Sequence, residues 1–570
     1  MTRALPKNSE LADTFDLLAD LLELDGADAF RSTAYRRAAE RIRESPVSVA
    51  ELALEGKATR LNGIGGTIER KIVELADTGD LEALAKLRAR VPEGLVEVMQ
   101  VPGLGPKTTR KLWRELGVTS TADLRAAAEA GRLRGVPGLG IKTEERVLTH
   151  LTRRVPRVST GRALLGRALP FVEELVAELR AHPAAVAVSE AGSVRRRAET
   201  VRDLDVIATA HDAVDLIEHF TAMRWVAEVI AKGGTKATAA SHDGLRVDLR
   251  VVPPECFGNL LQHFTGSAAH NIALREDAVR RGLSVSEYGV VTVASGETVT
   301  HATEEELYTY LGYAWIPPEL REDAGELDAA RDRTLPTLVE AGDLRGDLHM
   351  HTDWSDGKAS LEQMVAAARG RGLSYVAICD HARQLRDGRL ERQTEEIERI
   401  DSGVRGIEVL CGVEVDIRAD GTLDMDDELL AGRDWVVASV HSGFHDSRDT
   451  LTRRILEAID NPHVDCIGHP TGRKINRRAP YYLDFEPILE RAAETGTALE
   501  INGQPDRLDL RDTHARLAAE AGVPILLSSD AHSTAALAYL DLAVSQARRA
   551  WLTAAQIVNA RPWAKVRAKW

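Results

Sequence analysis

"GDLHMHTDWSDG", residues 346–357, sets His349 and His351 one residue apart beside a strand-like run, then follows them with an acidic, Ser- and Gly-containing turn that carries Asp353 and Asp356. A lone His is most often an ordinary core or surface residue. This pair has company. Ligand-type residues recur at the ends of later strand-like runs: His381 in "ICDHA", Glu414 in "GVEVDI", His441 in "SVHSG", His469 in "IGHPTG", then Asp530 and His532 in "SSDAHS". Strand-like and helical runs alternate from 343 to 570, the βα rhythm of a parallel sheet or barrel. Active sites of such barrels collect at the C-terminal edge of the strands. Mixed imidazole and carboxylate donors suit Zn²⁺, Mn²⁺ or Fe.

Upstream lies material of another kind. Residues 317–342 are charged and Pro-bounded and read as a linker. Residues 253–316 read as helices with short strands. From about 164 to 252, the amphipathic helix "LPFVEELVAELR" leads into β-branched, alternating runs such as "DLDVIATA" and "LRVDLRVV", an α+β pattern. Residues 1–155 read as short helices separated by Gly-containing turns.

The chain has 570 residues, too many for one core, so several domains are expected. Apolar content of 44% and charged content of 28% describe a globular protein. With no long apolar run and no signal-like N-terminus, the expected location is the cytoplasm, close to the nucleoid, with no membrane partner. Cys256, Cys379, Cys411 and Cys466 form no CxxC pair, which argues against a disulfide framework or a thiolate zinc site. The net charge of −15 argues against general nucleic-acid binding, but residues 101–160 hold 12 Lys and Arg against 5 Asp and Glu.

Three turns in the N-terminal part look alike: "LNGIGGT" (61–67), "VPGLGPKT" (101–108) and "VPGLGIKT" (136–143). Gly allows positive φ and close backbone approach, and the helix that follows turns its N–H groups toward an anion. Gly63, Gly65, Gly103, Gly105, Gly138 and Gly140, with Lys107 and Lys142, are therefore candidates for gripping a nucleic-acid phosphate backbone. Such contacts position a duplex without reading its sequence. The turns resemble the helix-hairpin-helix motif.

In "EAGSVRRRAETVRDLDVIAT" (190–209), Gly192 and Ser193 end a strand, and Asp203 and Asp205 follow in another. Period two puts both carboxylates on one face. Close carboxylates repel unless cations bridge them, and oxygen donors suit Mg²⁺. Asp248 in "RVDLRVV" adds a third carboxylate from another strand. Three carboxylates with a Gly-Ser turn point to a two-metal phosphoryl-transfer site.

With "HFTGSAAHNIALR" (263–275), these segments resemble family X DNA polymerases, the polymerase-beta-like group, over roughly 1–316. The resemblance implies that Asp203, Asp205 and Asp248 hold Mg²⁺ or Mn²⁺. It implies that Gly192, Ser193, Arg196 and Arg162 contact a nucleotide triphosphate and that Arg246 supports the third aspartate. It places Phe264 and the Gly266-Ser267 peptide at the sugar wall, Asn271 near the base and Arg275 near the template. His263 stands where the family usually has Tyr, which puts sugar selectivity in question. Lys71 occupies the place of the family's Schiff-base lysine, while a second lysine of the family is replaced by Thr67.

Residues 343–570 resemble the PHP (polymerase and histidinol phosphatase) domain. The resemblance implies a distorted seven-stranded βα barrel holding two or three Mn²⁺, Zn²⁺ or Fe ions on His349, His351, Asp356, His381, Glu414, His441, His469, Asp530 and His532. Asp353 and Asp380 are close rivals of Asp356. Arg383, Arg473 and Lys474 read either as phosphate holders or as solvated loop charges. A family X core joined to a PHP domain matches the bacterial branch of the family.

The expected architecture is therefore multidomain: a helical lyase-like DNA-end-binding region (1–85), helix-hairpin-helix fingers (86–155), an α+β nucleotidyltransferase palm (156–252), a thumb (253–316), the linker (317–342) and the PHP phosphoesterase barrel (343–570). The expected activity is gap-filling DNA synthesis from dNTPs in repair, on gapped or primer-template DNA with a 5′-phosphate. A Mn²⁺-dependent 3′→5′ exonuclease, with abasic-site endonuclease activity beside it, would act in the same monomeric chain. Two rivals stand beside this reading: a barrel that acts on a small-molecule phosphoester, and a non-catalytic scaffold that binds DNA ends.

Overall fold

The structure is a computed structural model that describes residues 5, 6, 8–26, 29–44, 48–61, 63–99, 101, 104–136, 138–152, 162–241, 244–444 and 446–568. It divides into two compact units, Met1–Ser159 and Thr160–Trp570.

The first unit is helical. Helices Asn8–Asp25, Ala29–Glu44, Gly66–Thr78 and Glu82–Arg88 bury one apolar face each around Phe15, Leu18, Ile42, Ile72 and Leu84. Leu87, Val91 and Leu95 belong to the same core. The expected division at 85/86 thus falls inside a helix. The core dictates a later break, because Val98, Leu104, Leu112, Leu124 and Leu139 form a separate cluster.

The second unit begins with a five-stranded sheet of β1 (Ala185–Ala191), β2 (Asp203–Ala210), β3 (Val226–Lys232), β4 (Lys236–Ser241) and β5 (Arg246–Val251). The order is β1-β2-β5-β4-β3, with β2 and β5 parallel and the other pairs antiparallel. Helix Leu165–Ala181 covers one face through Leu165, Val172, Leu175 and Leu179. Helices Phe257–Thr265 and Ala268–Arg280 and a small three-stranded sheet follow.

Residues 317–342, read as a linker, are packed rather than extended. Helix Glu326–Asp332 forms there, and Arg321 and Glu326 are fully buried. Two of the charges that suggest solvent exposure are paired internally. Arg321 donates to Glu304, and Glu326 Oε1 lies 2.6 Å from His270 Nδ1.

The barrel consists of β6 (Gly346–Met350), β7 (Tyr375–Ile378), β8 (Glu408–Asp416), β9 (Trp435–Ser439), β10 (Cys466–Gly468), β11 (Ala498–Asn502) and β12 (Ile525–Ser528), parallel and in sequence order. A bridge between Met350 and Ala531 ties the first strand to the end of the last. β6, β7, β9, β11 and β12 are buried along their whole length, as strands covered on both faces must be. The five-stranded sheet and the barrel share a core: Leu508 and Leu542, from the barrel half, lie among Leu165, Val172 and Leu204.

Candidate functional site

Register builds the first cluster. β2 and β5 pair so that Asp203 stands beside Arg246 and Asp205 beside Asp248. Asp203 and Asp205 share a face, and the parallel neighbour brings the third carboxylate alongside. Arg246 donates to both oxygens of Asp248, from Nε at 2.9 Å and Nη2 at 3.0 Å, and Thr238 Oγ1 donates to it as well. Burial, then the negative charges of Asp203 and Asp248, push the Asp205 carboxyl up to about 7. Gly192 has φ +64°, and a Cβ there would collide with Asp205 Oδ2. Glycine is required at that position both for the backbone turn and for the approach of the carboxylate.

The barrel builds the second cluster at the C-terminal ends of its strands. Glu414 is its centre. Its Oε1 lies 3.5 Å from His349 Nε2, 3.4 Å from His441 Nε2 and 3.3 Å from His469 Nε2. Its Oε2 lies 3.7 Å from His351 Nε2 and 2.8 Å from His381 Nδ1. His351 Nε2 is 3.2 Å from Asp530 Oδ1. Asp356 Oδ1 is 3.6 Å from His381 Nε2 and 3.3 Å from His532 Nε2. All nine residues expected in the barrel site converge. His469 and Asp530 hold positive φ values of 29° and 50°, a conformation that costs energy for a side-chain-bearing residue.

Asp356 is the carboxylate that reaches this cluster. Its rival Asp380 is consumed by the loop, accepting from Thr352 N at 2.8 Å, Thr352 Oγ1 at 2.6 Å and Gln393 Nε2 at 2.6 Å. Asp353 is exposed.

Four models of known families match successive parts of the chain. They are a helix-hairpin-helix domain (6–81), a SAM-like helix-hairpin-helix tandem (95–153), the DNA polymerase beta thumb (260–322) and the PHP domain (347–504). A protein of Bacillus subtilis (strain 168), DNA polymerase/3'-5' exonuclease PolX, is 39% identical over 562 residues, 97% of each chain. The chain belongs to the PolX family. A probable phosphatase of Syntrophotalea carbinolica is 32% identical over 224 residues, which are 37% of this chain and 90% of that one. Another, from Caldanaerobacter subterraneus, is 34% identical over 198 residues, 33% of this chain and 75% of that one.

Membership of the PolX family implies divalent cations, and both clusters fit them. In the barrel, His349 Nε2, His351 Nε2 and Glu414 Oε1 are buried with no hydrogen-bond partner. Buried polar atoms are almost always satisfied, so a group of unpartnered imidazole nitrogens and a carboxylate oxygen gathered together marks a ligand position. Three sets of donor atoms lie close enough to share an ion: His351, Asp356, His381 and His532; His349, His351 and Asp530; and His381, Glu414 and His441. In the sheet, three adjacent carboxylates with one raised titration are an all-oxygen donor set whose repulsion a cation relieves.

Two further carboxylates of the barrel carry no ligand pattern in the sequence. Glu500 Oε1 is 2.6 Å from His349 Nδ1, and Asp416 Oδ1 is 2.6 Å from His441 Nδ1. Each fixes the ring so that Nε2 faces the cluster. Their one signal was position: both lie near strand C-termini, in "LEIN" and "VEVDI".

Around the sheet cluster, Arg196 donates from Nε to Glu322 at 3.0 Å and from Nη1 to the Thr265 carbonyl at 2.5 Å. Arg162 is exposed and donates to Thr200 Oγ1 and O, both at 2.8 Å. Phe264 lies under Arg250 at 4.5 Å, and the adjoining Gly266-Ser267 peptide is cis. Arg275 Nη2 is 2.7 Å from His263 Nδ1, and Asn271 donates to the His263 carbonyl at 2.7 Å. Burial pushes the His263 ring below its usual range. Arg473 is no solvated charge: it pairs with Glu199 at 2.6 Å.

In the first unit the glycine turns share one design. Ile64, Leu104 and Leu139 are buried, and their N–H groups bond to Leu61, Val101 and Val136. The apolar residue is drawn inward and the glycines face out. Nothing lies within 4 Å of a Cβ built at Gly63, Gly65, Gly105, Gly138 or Gly140. Lys107 is exposed. Gly103 and the Lys142 side chain lie outside the described residues. Lys71 is half-buried on helix Gly66–Thr78. Among the described residues no helix is long and apolar enough to cross a membrane.

Proposed function

We propose that this chain is a DNA-directed DNA polymerase that fills short gaps during repair and that its barrel degrades DNA from 3′ ends. The observation that carries the reading is the coexistence, in one compact unit, of a register-matched carboxylate triad and a nine-residue imidazole-carboxylate cluster. The polymerase/exonuclease name of a relative matched along its whole length supports it. Gapped or primer-template DNA with a 5′-phosphate and dNTPs are the substrates.

Asp203, Asp205 and Asp248 would hold Mg²⁺ or Mn²⁺. The nine barrel residues would hold two or three Mn²⁺, Zn²⁺ or Fe ions. Bound cations would activate a hydroxyl or water and steady negative charge on phosphorus. The protein's own groups do the rest. Ser193 and the Nη2 edge of Arg196 receive the triphosphate. Arg196 is already held on its other two nitrogens, so little freedom is lost when phosphate binds. The Gly266-Ser267 backbone and the Phe264 ring wall the sugar. Arg246 keeps Asp248 aimed through its two hydrogen bonds. In the barrel, Glu500 and Asp416 keep His349 and His441 in the tautomer that presents Nε2 inward. The outward-facing glycines and Lys107 grip the duplex backbone.

A second reading is favoured by one observation: relatives of the barrel alone are called probable phosphatases. It predicts release of phosphate from small phosphoesters with DNA ends untouched. A time course with the full chain on a 5′-phosphorylated gapped duplex in Mn²⁺, with and without dNTPs, decides. Extension with dNTPs and shortening without them are expected. A primer of constant length in both arms contradicts the proposal.

A further inference from the structure

The barrel half contacts Arg196, one of the residues read as receiving the triphosphate. Glu322 Oε1 accepts from two arginines at once, Arg196 Nε at 3.0 Å and Arg549 Nη1 at 2.9 Å. Arg549 lies on helix Leu540–Arg549, which packs against the barrel. The same Nη1 also donates to the Arg196 backbone carbonyl at 2.9 Å. Its far side is pinned by Asp512 at the start of helix Asp512–Glu520, with Nε at 2.8 Å and Nη2 at 2.7 Å. The side chain is 10% exposed. Arg549 therefore holds Arg196 twice, once through the backbone and once through the carboxylate that orients the guanidinium.

The contact does not stand alone. Glu199, three residues on, accepts from Arg473 at 2.6 Å and from Gln546 at 3.0 Å, both from the barrel half. Asn476 donates to the Arg162 carbonyl at 2.9 Å. Arg196, Glu199 and Arg162 are thus each fastened to a domain that carries none of the aspartate triad.

We propose that Arg549 is a positioning residue for nucleotide binding: the barrel half sets the guanidinium of Arg196 through Glu322. The proposal rests on Arg196 being a phosphate contact. A carboxylate shared by two guanidiniums cannot follow one of them without straining the other, so Arg549, by keeping Glu322, fixes one of the two anchors of the Arg196 guanidinium. Without Arg549, Glu322 retains a single arginine partner and can move with it, and the Arg196 guanidinium keeps only its Nη1 bond to the Thr265 carbonyl as a fixed anchor.

Steady-state extension with the full chain tests this. Arg549→Ala is expected to raise the dNTP KM about 10-fold with a smaller change in kcat, as orienting partners typically do. Arg549→Lys, which keeps the charge but not the fork, is expected to recover part of the loss. Glu322→Gln is expected to raise KM similarly, and the double variant to match either single rather than multiply them, since one chain of contacts is broken in each. Shortening of a single-stranded 3′ end without dNTPs is expected to stay within about twofold of wild type, because Arg549 takes no part in the barrel cluster. A folded Arg549→Ala with unchanged dNTP KM overturns the proposal, as do independent, multiplying effects. Should Arg549→Ala fail to fold, Arg549→Lys and Glu322→Gln with their double decide by the same criterion. Arg196→Ala separates the two levels. If it leaves KM unchanged, the reading of the pocket fails. If it raises KM and the Arg549 and Glu322 variants do not, only this inference falls.

Discussion

Asp205 and Asp248 lie directly across from one another on adjacent parallel strands, with Asp203 two residues away on the same face. Without a cation that arrangement is repulsive, and burial of Asp205 adds to the cost of its charge. Asp205→Asn is therefore expected to stabilise the protein in excess chelator by about 1–3 kcal/mol and to lower primer extension by about 10²-fold or more. Thermal melting in chelator and an extension assay check the two halves. A variant less stable than wild type in chelator would contradict the repulsion argument.

Glu500 acts on the barrel cluster through His349. Glu500→Gln is expected to weaken Mn²⁺ binding and 3′-end degradation by about 10- to 100-fold. Asp416→Asn is expected to do the same through His441. Metal titration followed by calorimetry reads the first effect, and unchanged Mn²⁺ affinity in both variants would remove the orienting role.

Much of this was legible in the residues. Asp203 and Asp205 declared themselves by a two-residue period, and the histidines by recurring at strand ends. Other features were hidden for physical reasons. Glu500 and Asp416 are carboxylates inside strands, and only the fold shows that each faces an imidazole. The segment 317–342 looks solvated because it is charged, yet Arg321 and Glu326 find partners inside the protein. The helix Glu82–Arg88 is short and weakly bounded, so its apolar residues could be assigned to either neighbouring core. The contacts of Arg473 with Glu199 and of Arg549 with Arg196 and Glu322 join residues hundreds of positions apart, which no local pattern records.

Glu304 is buried between Arg195, at 2.7 and 2.9 Å, and Arg321, at 2.5 and 3.0 Å. Burial opposes its charge, but Arg321 and Arg195 outweigh burial and hold the carboxyl at about 2, against 4.5 for the free group. The folded value lies below the unfolded one, so this stabilisation is complete above about pH 4.5 and is lost as pH falls toward 2. Glu304→Gln leaves two guanidiniums facing a neutral amide and is expected to cost about 3–5 kcal/mol at neutral pH. The loss should shrink in acid. Denaturant unfolding at pH 7 and pH 3 checks both statements.

Gly138 has φ +93° and an open outer face. Gly138→Ala is expected to cost about 1–2 kcal/mol of local strain and to weaken duplex binding. Lys107→Ala is expected to weaken binding uniformly across sequences and to reduce the salt slope by about one. Affinity measured over a range of salt concentrations distinguishes the two, and a Lys107→Ala slope equal to wild type would take that lysine off the phosphate backbone.

The central claim is that one chain carries two chemically separate centres. The most direct test follows one gapped primer in Mn²⁺ with three proteins: wild type, Asp248→Asn and Glu414→Gln. Asp248→Asn is expected to shorten the primer and not extend it, and Glu414→Gln to extend it and not shorten it. If either substitution abolished both reactions in a folded protein, or neither affected its own, the two-centre account would be wrong.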